Sequence, residues 1–200
     1  MAALAGSLIA GTFAPFASAR EIQPGLLEIT GNDARMASAV IGMLTAVPVG
    51  TGREVTCYMS SLCSVCQAFM HDYPTLAVPE IAMRYVPTIL AEHESGAVER
   101  VLARPDVPTF RQFMARRFAE VPPVPFDPKV TVRDVPTTPA QRYSRHSLLI
   151  AALTLLFRRN GSPDLPEGTP RFLFTSATGA AYMVVGTPPP EMFRDIARLK

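Results

Sequence analysis

EVTCYMSSLCSVCQAFMHDY, running from Glu54 to Tyr73, is the stretch that decides the fold. Val55–Met59 is an apolar run of strand character, and Gln67–Tyr73 has helical character. Cys63 and Cys66 stand between them, at the head of the helix. Cysteines at i and i+3 on a helix share one face, so their sulfurs can meet in a disulfide. A helix N-terminus presents unpaired N–H groups and the positive end of the dipole, which favour a thiolate. That placement suggests a redox dithiol. Two other chemistries also fit a C-x-x-C pair, half of a zinc site and an inert structural disulfide. A zinc site needs two more ligands, and Cys57, His71, His93 and His146 are scattered along the chain.

Outward from this stretch, Glu54–Ser60 is continuous enough in apolar character to be a central strand. The dithiol helix runs from Cys63 to about Leu76, with Pro74 expected to kink or end it. Ile81–Leu90 reads as a second buried strand with Pro87 late in it. Strand, helix, strand predicts a right-handed crossover and a parallel pair. Upstream, Leu26–Thr30 reads as an edge strand. Asn32 and Asp33 read as the cap of a helix over Arg35–Leu44, and Val47–Gly52 as a turn-rich connector.

Downstream, residues 96–160 read as a helical insertion. Pro108–Glu120 predicts a helix whose apolar face carries Phe110, Phe113, Met114 and Phe118. Val121–Pro139 is a Pro-rich, irregular link. Thr138 as N-cap and Pro139 at the first helical position open a second helix that closes at Gly161. Arg171–Thr175 and Ala180–Val185 predict a hairpin around Ser176–Gly179. A last helix, opened by Gly186–Pro188, turns Met192, Phe193, Ile196 and Leu199 inward.

A chain of 200 residues with 18% charged side chains suits one domain with an insertion, or one domain plus a small appendage. The net charge of +2 is too small to argue for nucleic acid or an anionic membrane surface. Met1–Phe16 is small and apolar, and Ala17-Ser18-Ala19 resembles a signal-peptidase site. Residues 1–19 therefore read as a secretory signal, either cleaved before Arg20 or retained as an anchor, and the domain as residues 20–200. In an exported protein, three cysteines divide most simply into one pair and one lone thiol. Cys63 and Cys66 are the natural pair, and Cys57 reads as a buried strand thiol.

In this order the chain resembles the thioredoxin fold, and within it the exported disulfide oxidoreductases and isomerases of the Dsb group. The resemblance rests on strand–Cys63-Ser64-Val65-Cys66–helix, the helical insertion, Gly168-Thr169-Pro170 ahead of the hairpin, and the closing amphipathic helix. It covers Glu54 to Leu199, and departs from thioredoxins in carrying Leu62 where they usually carry Trp. It implies an α/β, thioredoxin-like fold with a central mixed sheet flanked by helices, and thiol–disulfide exchange with protein substrates. Cys63 would be the attacking sulfur and Cys66 the resolving one. Ser64 and Val65 would tune redox poise, Ser64 by donating to the Cys63 sulfur and Val65 as an apolar lip. Pro170 would follow a cis peptide bond, and the Thr169 backbone would pair with an extended substrate. The resemblance calls for no cofactor or metal, and metal or copper handling by Cys57, Cys63 and Cys66 stays a separate option. The implied partners are proteins bearing thiols or disulfides and a separate redox partner in the periplasm. The direction of exchange and the oligomeric state stay open. A second reading keeps the fold and drops the turnover, giving a binding or assembly factor of a secretion or conjugation system.

Overall fold

The computed structural model describes residues 20–23, 26–76, 79–160 and 168–198. Seven strands form one mixed sheet in the order β1-β2-β7-β6-β4-β5-β3. In its interior lies β4 (Arg53–Met59), parallel to β5 (Ile81–Pro87) and antiparallel to the middle strand β6 (Arg171–Thr175). Helix α2 (Ser64–Leu76) joins β4 to β5, which is the strand–helix–strand unit read from the sequence. β6 turns back into β7 (Ala181–Val185), and α6 (Pro190–Arg198) closes the chain. Helices α3 (Ser95–Ala103), α4 (Val107–Met114) and α5 (Pro139–Arg159) lie between the two halves. The arrangement is thioredoxin-like, as the sequence predicts.

Strand alternation sorts the core into two layers. Val55, Cys57 and Met59 of β4, Phe172 and Phe174 of β6, and Tyr182 and Val184 of β7 pack in one cluster with Cys63, Cys66, Phe69 and Phe193. The intervening Tyr58, Leu173, Ala181 and Met183 pack in the other, with Ala34, Ala37 and Ile41 of α1 (Gly31–Met43) and Leu149, Leu153 and Phe157 of α5. The dithiol thus sits on the α2 and α6 face. Among the described residues no helix is long and apolar enough to cross a membrane.

Several boundaries differ from the sequence reading. Leu26–Ile29 is a strand, β2, but not the edge, because β1 (Arg20–Gln23) pairs outside it. The expected connector at Val47–Gly52 contains a strand, β3 (Val47–Val49), antiparallel to β5. Its Pro48 reads as a breaker, yet β3 is an edge strand, where a missing N–H is tolerated. Helix α1 is capped by Thr30, without a side-chain cap bond, rather than by Asn32 or Asp33, which lie inside its first turn. Pro74 does not end α2, which continues to Leu76.

The insertion holds one helix that the pattern hid. In α3, Ala97, Val98, Val101 and Leu102 form a buried face, in a stretch to which the sequence reading assigns no separate helix. Helix α4 stops at Met114, short of the expected Glu120, because Arg116 adopts left-handed backbone at φ 57°. Phe118 still packs against the core. Helix α5 begins as read, and Gln141 completes a capping box with Thr138. Asn160 is its C-cap; the Gly161 cap falls outside the described residues, as do the signal over 1–19 and Leu199. Helix α6 begins at Pro190 rather than at Gly186, and Phe193 and Ile196 are buried on its inner face.

Candidate active site

The site is built on the turn between β4 and α2. The Cys63 N–H donates to the Ser60 carbonyl at 3.2 Å, and the Leu62 N–H to Ser60 Oγ at 3.1 Å. Gln67 reaches back from the first turn of α2 to donate to the Ser61 carbonyl at 2.7 Å. The first helical bond runs from the Gln67 N–H to the Cys63 carbonyl at 3.1 Å, which makes Cys63 the residue that caps α2. Its sulfur accepts from the Cys66 N–H at 3.1 Å, the bond that a serine or aspartate oxygen makes at that position. The Cys63 thiol in turn donates to the Thr169 carbonyl at 3.2 Å.

Cys57, Cys63 and Cys66 are free thiols. Cys66 is wholly buried, while Cys63 keeps 8% of its surface exposed. Burial pushes the Cys66 thiol up to about 12, and its hydrogen bond with Cys63 adds to the rise; bonds with Thr169 and the Ser60 backbone oppose it without cancelling it. Burial also pushes the Cys57 thiol well above its ordinary value, and the neighbouring Cys66 and Cys63 raise it further. At neutral pH both deeper thiols stay protonated.

The Thr169 carbonyl meets the Cys63 thiol, and the peptide bond from Thr169 to Pro170 is cis, as the resemblance implies. Pro170 is buried, and its carbonyl accepts from the Gly186 N–H at 2.9 Å. Val65 is an exposed apolar side chain. Ser64 is exposed, and the bond to the Cys63 sulfur comes from the Cys66 backbone rather than from the Ser64 hydroxyl. A side-chain donor is not needed where the helix N-terminus already supplies one.

The histidines do not converge. His71 is exposed on α2 and pairs with Asp72 at 2.9 Å. His146 is buried on α5 and bonds the Pro87 carbonyl at 2.8 Å. His93 lines a small cavity with Ser61, Leu62, Glu94, Phe113 and Arg116, beside the dithiol turn. Among the described residues no group of three or more His, Cys, Asp or Glu could hold a metal ion.

One residue beside the site escapes the sequence reading. Glu94, in the 3-10 turn Glu92–Glu94 that follows β5, is buried against the dithiol turn. It accepts from Ser60 Oγ at 3.1 and 3.0 Å, Ser61 Oγ at 2.8 Å and the Leu90 N–H at 2.7 Å. Glu92, Glu94 and Glu99 look alike in the sequence, and only the return of the chain over the β4–α2 turn separates them.

No protein-family model and no curated protein matches the chain. Among solved structures it is similar to a periplasmic thioredoxin-like protein from Salmonella enterica serovar Typhimurium, at 12% identity and a TM-score of 0.45 over 84% of this chain and 96% of that one. It is also similar to a thioredoxin-like oxidoreductase from Silicibacter pomeroyi DSS-3, at 17% identity and a TM-score of 0.42 over 83% and 95%. A third is the thiol-disulfide exchange protein alpha-DsbA2 from Wolbachia pipientis, at 12% identity and a TM-score of 0.41 over 84% and 97%.

Proposed function

We propose that this chain is an exported thiol–disulfide oxidoreductase that exchanges disulfides with protein substrates through Cys63 and Cys66. One observation carries the reading. The Cys63 sulfur caps α2, holding the Cys66 N–H at 3.1 Å, while Cys66 lies one turn deeper as a buried thiol. A sulfur so placed has a donor ready for the negative charge of a thiolate, and a resolving thiol within reach.

In the reducing direction the Cys63 thiolate attacks one sulfur of a substrate disulfide. A mixed disulfide forms and the first substrate thiolate leaves. Cys66 then attacks the Cys63 sulfur and gives up its proton to the second departing substrate thiolate. The substrate gains two electrons and the enzyme is left as the Cys63–Cys66 disulfide, to be reduced by a separate redox partner. The oxidising direction runs the same steps backward. Thr169 beside Pro170 would border an extended substrate segment, and the exposed Val65 would offer it an apolar contact. Ser64 and Val65, between the cysteines, set the surroundings of both sulfurs. Export follows from reading residues 1–19 as a signal, with residues 20–200 as one thioredoxin-like domain and an insertion over 96–160.

The low exposure of Cys63, 8%, favours a second reading, a binding or assembly factor with little turnover. The equilibrium reduction potential of the pair, titrated with glutathione and read by thiol trapping and mass, decides between them. A two-electron transition supports the oxidoreductase. A value near −120 mV makes it a disulfide donor and one near −270 mV a reductase. Absence of any transition overturns the oxidoreductase in favour of the binding factor.

A further inference from the structure

We propose that Glu94 is a positioning residue for the dithiol, acting through Ser60 and Ser61 to set where the Cys63 sulfur stands. The proposal rests on the oxidoreductase reading and names a part of the machinery that lies outside the C-x-x-C.

Every hydrogen bond at this carboxyl group runs inward, so Glu94 acts only as an acceptor. Two of its donors are the hydroxyls of consecutive residues in the turn that delivers Cys63. The Ser60 hydroxyl that donates to Glu94 also accepts from the Leu62 N–H, and the Ser60 carbonyl accepts from the Cys63 N–H. An unbroken chain of bonds therefore joins Glu94 to the backbone of Cys63. The bond from the Cys66 N–H to the Cys63 sulfur depends on that backbone, because Cys63 must hold a capping conformation to make it.

The holder itself is fixed. The Glu94 N–H donates to the Ala91 carbonyl at 3.0 Å, and the Leu90 N–H closes on the Glu94 carboxyl. Ser95 Oγ accepts from the Val124 N–H at 2.9 Å, and Gly96 lies so close to Pro122 that a Cβ there would stand 2.0 Å from its carbonyl oxygen. The 3-10 turn is thus clamped between the link after α4 and the dithiol turn. A reactive group is held in register best when its supporting contacts are themselves rigid. The helical insertion supplies that support here.

The test is Glu94→Gln in the full chain. Glutamine keeps the shape but turns one of two acceptor oxygens into a donor, so the bonds from all three donors cannot survive unchanged. The readout is the rate at which iodoacetamide alkylates Cys63 at pH 7, identified by peptide mass, beside thermal unfolding. The expected result is a rate slowed by about tenfold, the scale of a broken charge-assisted bond. Simple loss of a negative charge near a thiol works the other way and speeds alkylation. A faster or unchanged rate therefore overturns the proposal, and so does a fall in stability with the rate unchanged. If Glu94→Gln does not fold, Ser61→Ala carries the test, with a rate slowed by about threefold expected from loss of one bond and an unchanged rate overturning it. The same alkylation decides the positioning role even if the wild-type pair shows no two-electron transition, an outcome that removes the redox reading alone.

Discussion

The Cys63 sulfur lies 3.2 Å from the carbonyl oxygen of Thr169, a residue 106 positions away along the chain. This contact brings the head of α2 against the segment entering β6, and it separates the two cysteines chemically. Cys63 keeps a small exposed edge and Cys66 has none, with the Cys66 thiol pushed up to about 12 by burial first and by Cys63 second. Thiolates, not thiols, are alkylated. In the reduced protein at pH 7.5, limiting iodoacetamide is therefore expected to label Cys63 and to spare Cys66 and Cys57, read by peptide mass. Label appearing first on Cys66 would reverse the assignment of attacking and resolving sulfurs.

The same asymmetry sets the phenotypes of two serine variants. Cys63→Ser removes the attacking sulfur, and turnover of a disulfide-bonded protein substrate is expected to fall to background. Cys66→Ser leaves attack intact and removes resolution, so stable mixed disulfides through Cys63 are expected on non-reducing gels. Exchange at the wild-type rate by Cys63→Ser would dismiss the mechanism.

The β4–α2–β5 unit, the start of α5 and the hairpin are legible because their signals are local: apolar runs of strand length, Thr138 before Pro139, Gly168 to Pro170 before a strand. The cysteine pair and its meeting with Thr169 follow from that order once the family resemblance is admitted. What escapes is whatever depends on neighbours distant in sequence. β3 carries Pro48 and is a strand only because β5 runs beside it at an edge. Glu94 is indistinguishable from Glu92 until the turn after β5 folds back onto Ser60 and Ser61. The donor to the Cys63 sulfur is misplaced for the opposite reason, since the backbone N–H of Cys66 makes the bond that the sequence reading gives to the Ser64 hydroxyl.

His146 is expected to make stability depend on pH. Its Nε2 faces the Pro87 carbonyl, so that nitrogen carries the proton, while the buried Nδ1 has no hydrogen-bond partner among the described residues. Burial lowers its pKa from 6.5 to about 4; the Pro87 bond opposes this, and Arg145 adds to it. Below pH 6.5 the unfolded chain takes up a proton that the folded chain refuses. The stabilisation is full above the unfolded value and is lost as pH falls through 6.5 toward 4, by about 3 kcal/mol at most. Urea unfolding at pH 7 and pH 4.5 should show this loss in the wild type and a smaller one in His146→Gln. Equal slopes in both proteins would remove His146 as the cause.

Asp33 ties α1 to the end of α5. It accepts from Arg159 Nη2 at 2.8 and 3.0 Å and from Asn160 Nδ2 at 2.7 Å, and the same amide donates to the Leu156 carbonyl. Asp33 and Asn160 are buried, whereas the Arg159 side chain is 59% exposed. Asp33→Ala leaves the buried amide short of an acceptor and is expected to cost about 1–3 kcal/mol. Arg159→Ala removes a solvated partner and should cost about 0–1 kcal/mol. Denaturant midpoints of the two variants check the order, and a costlier Arg159 change would contradict it.

Two glycines are expected to respond to alanine with opposite signs. At Gly96 an added Cβ would stand 2.0 Å from the Pro122 carbonyl oxygen and 3.0 Å from Val121 Cγ1. The Pro122 contact is with backbone, so α3 or the link after α4 must move, at about 1–3 kcal/mol. The bond from the Val124 N–H to Ser95 Oγ bridges the same two segments and should loosen with it. At Gly42, inside α1, an added Cβ meets nothing within 4 Å. There alanine reduces the freedom of the unfolded chain and favours the helix, for a gain of about 0.4–1 kcal/mol. Thermal unfolding of Gly96→Ala and Gly42→Ala should move the midpoint down in the first and up in the second. A Gly96→Ala protein as stable as the wild type would mean that the insertion yields at Pro122 and does not brace the turn that carries Glu94.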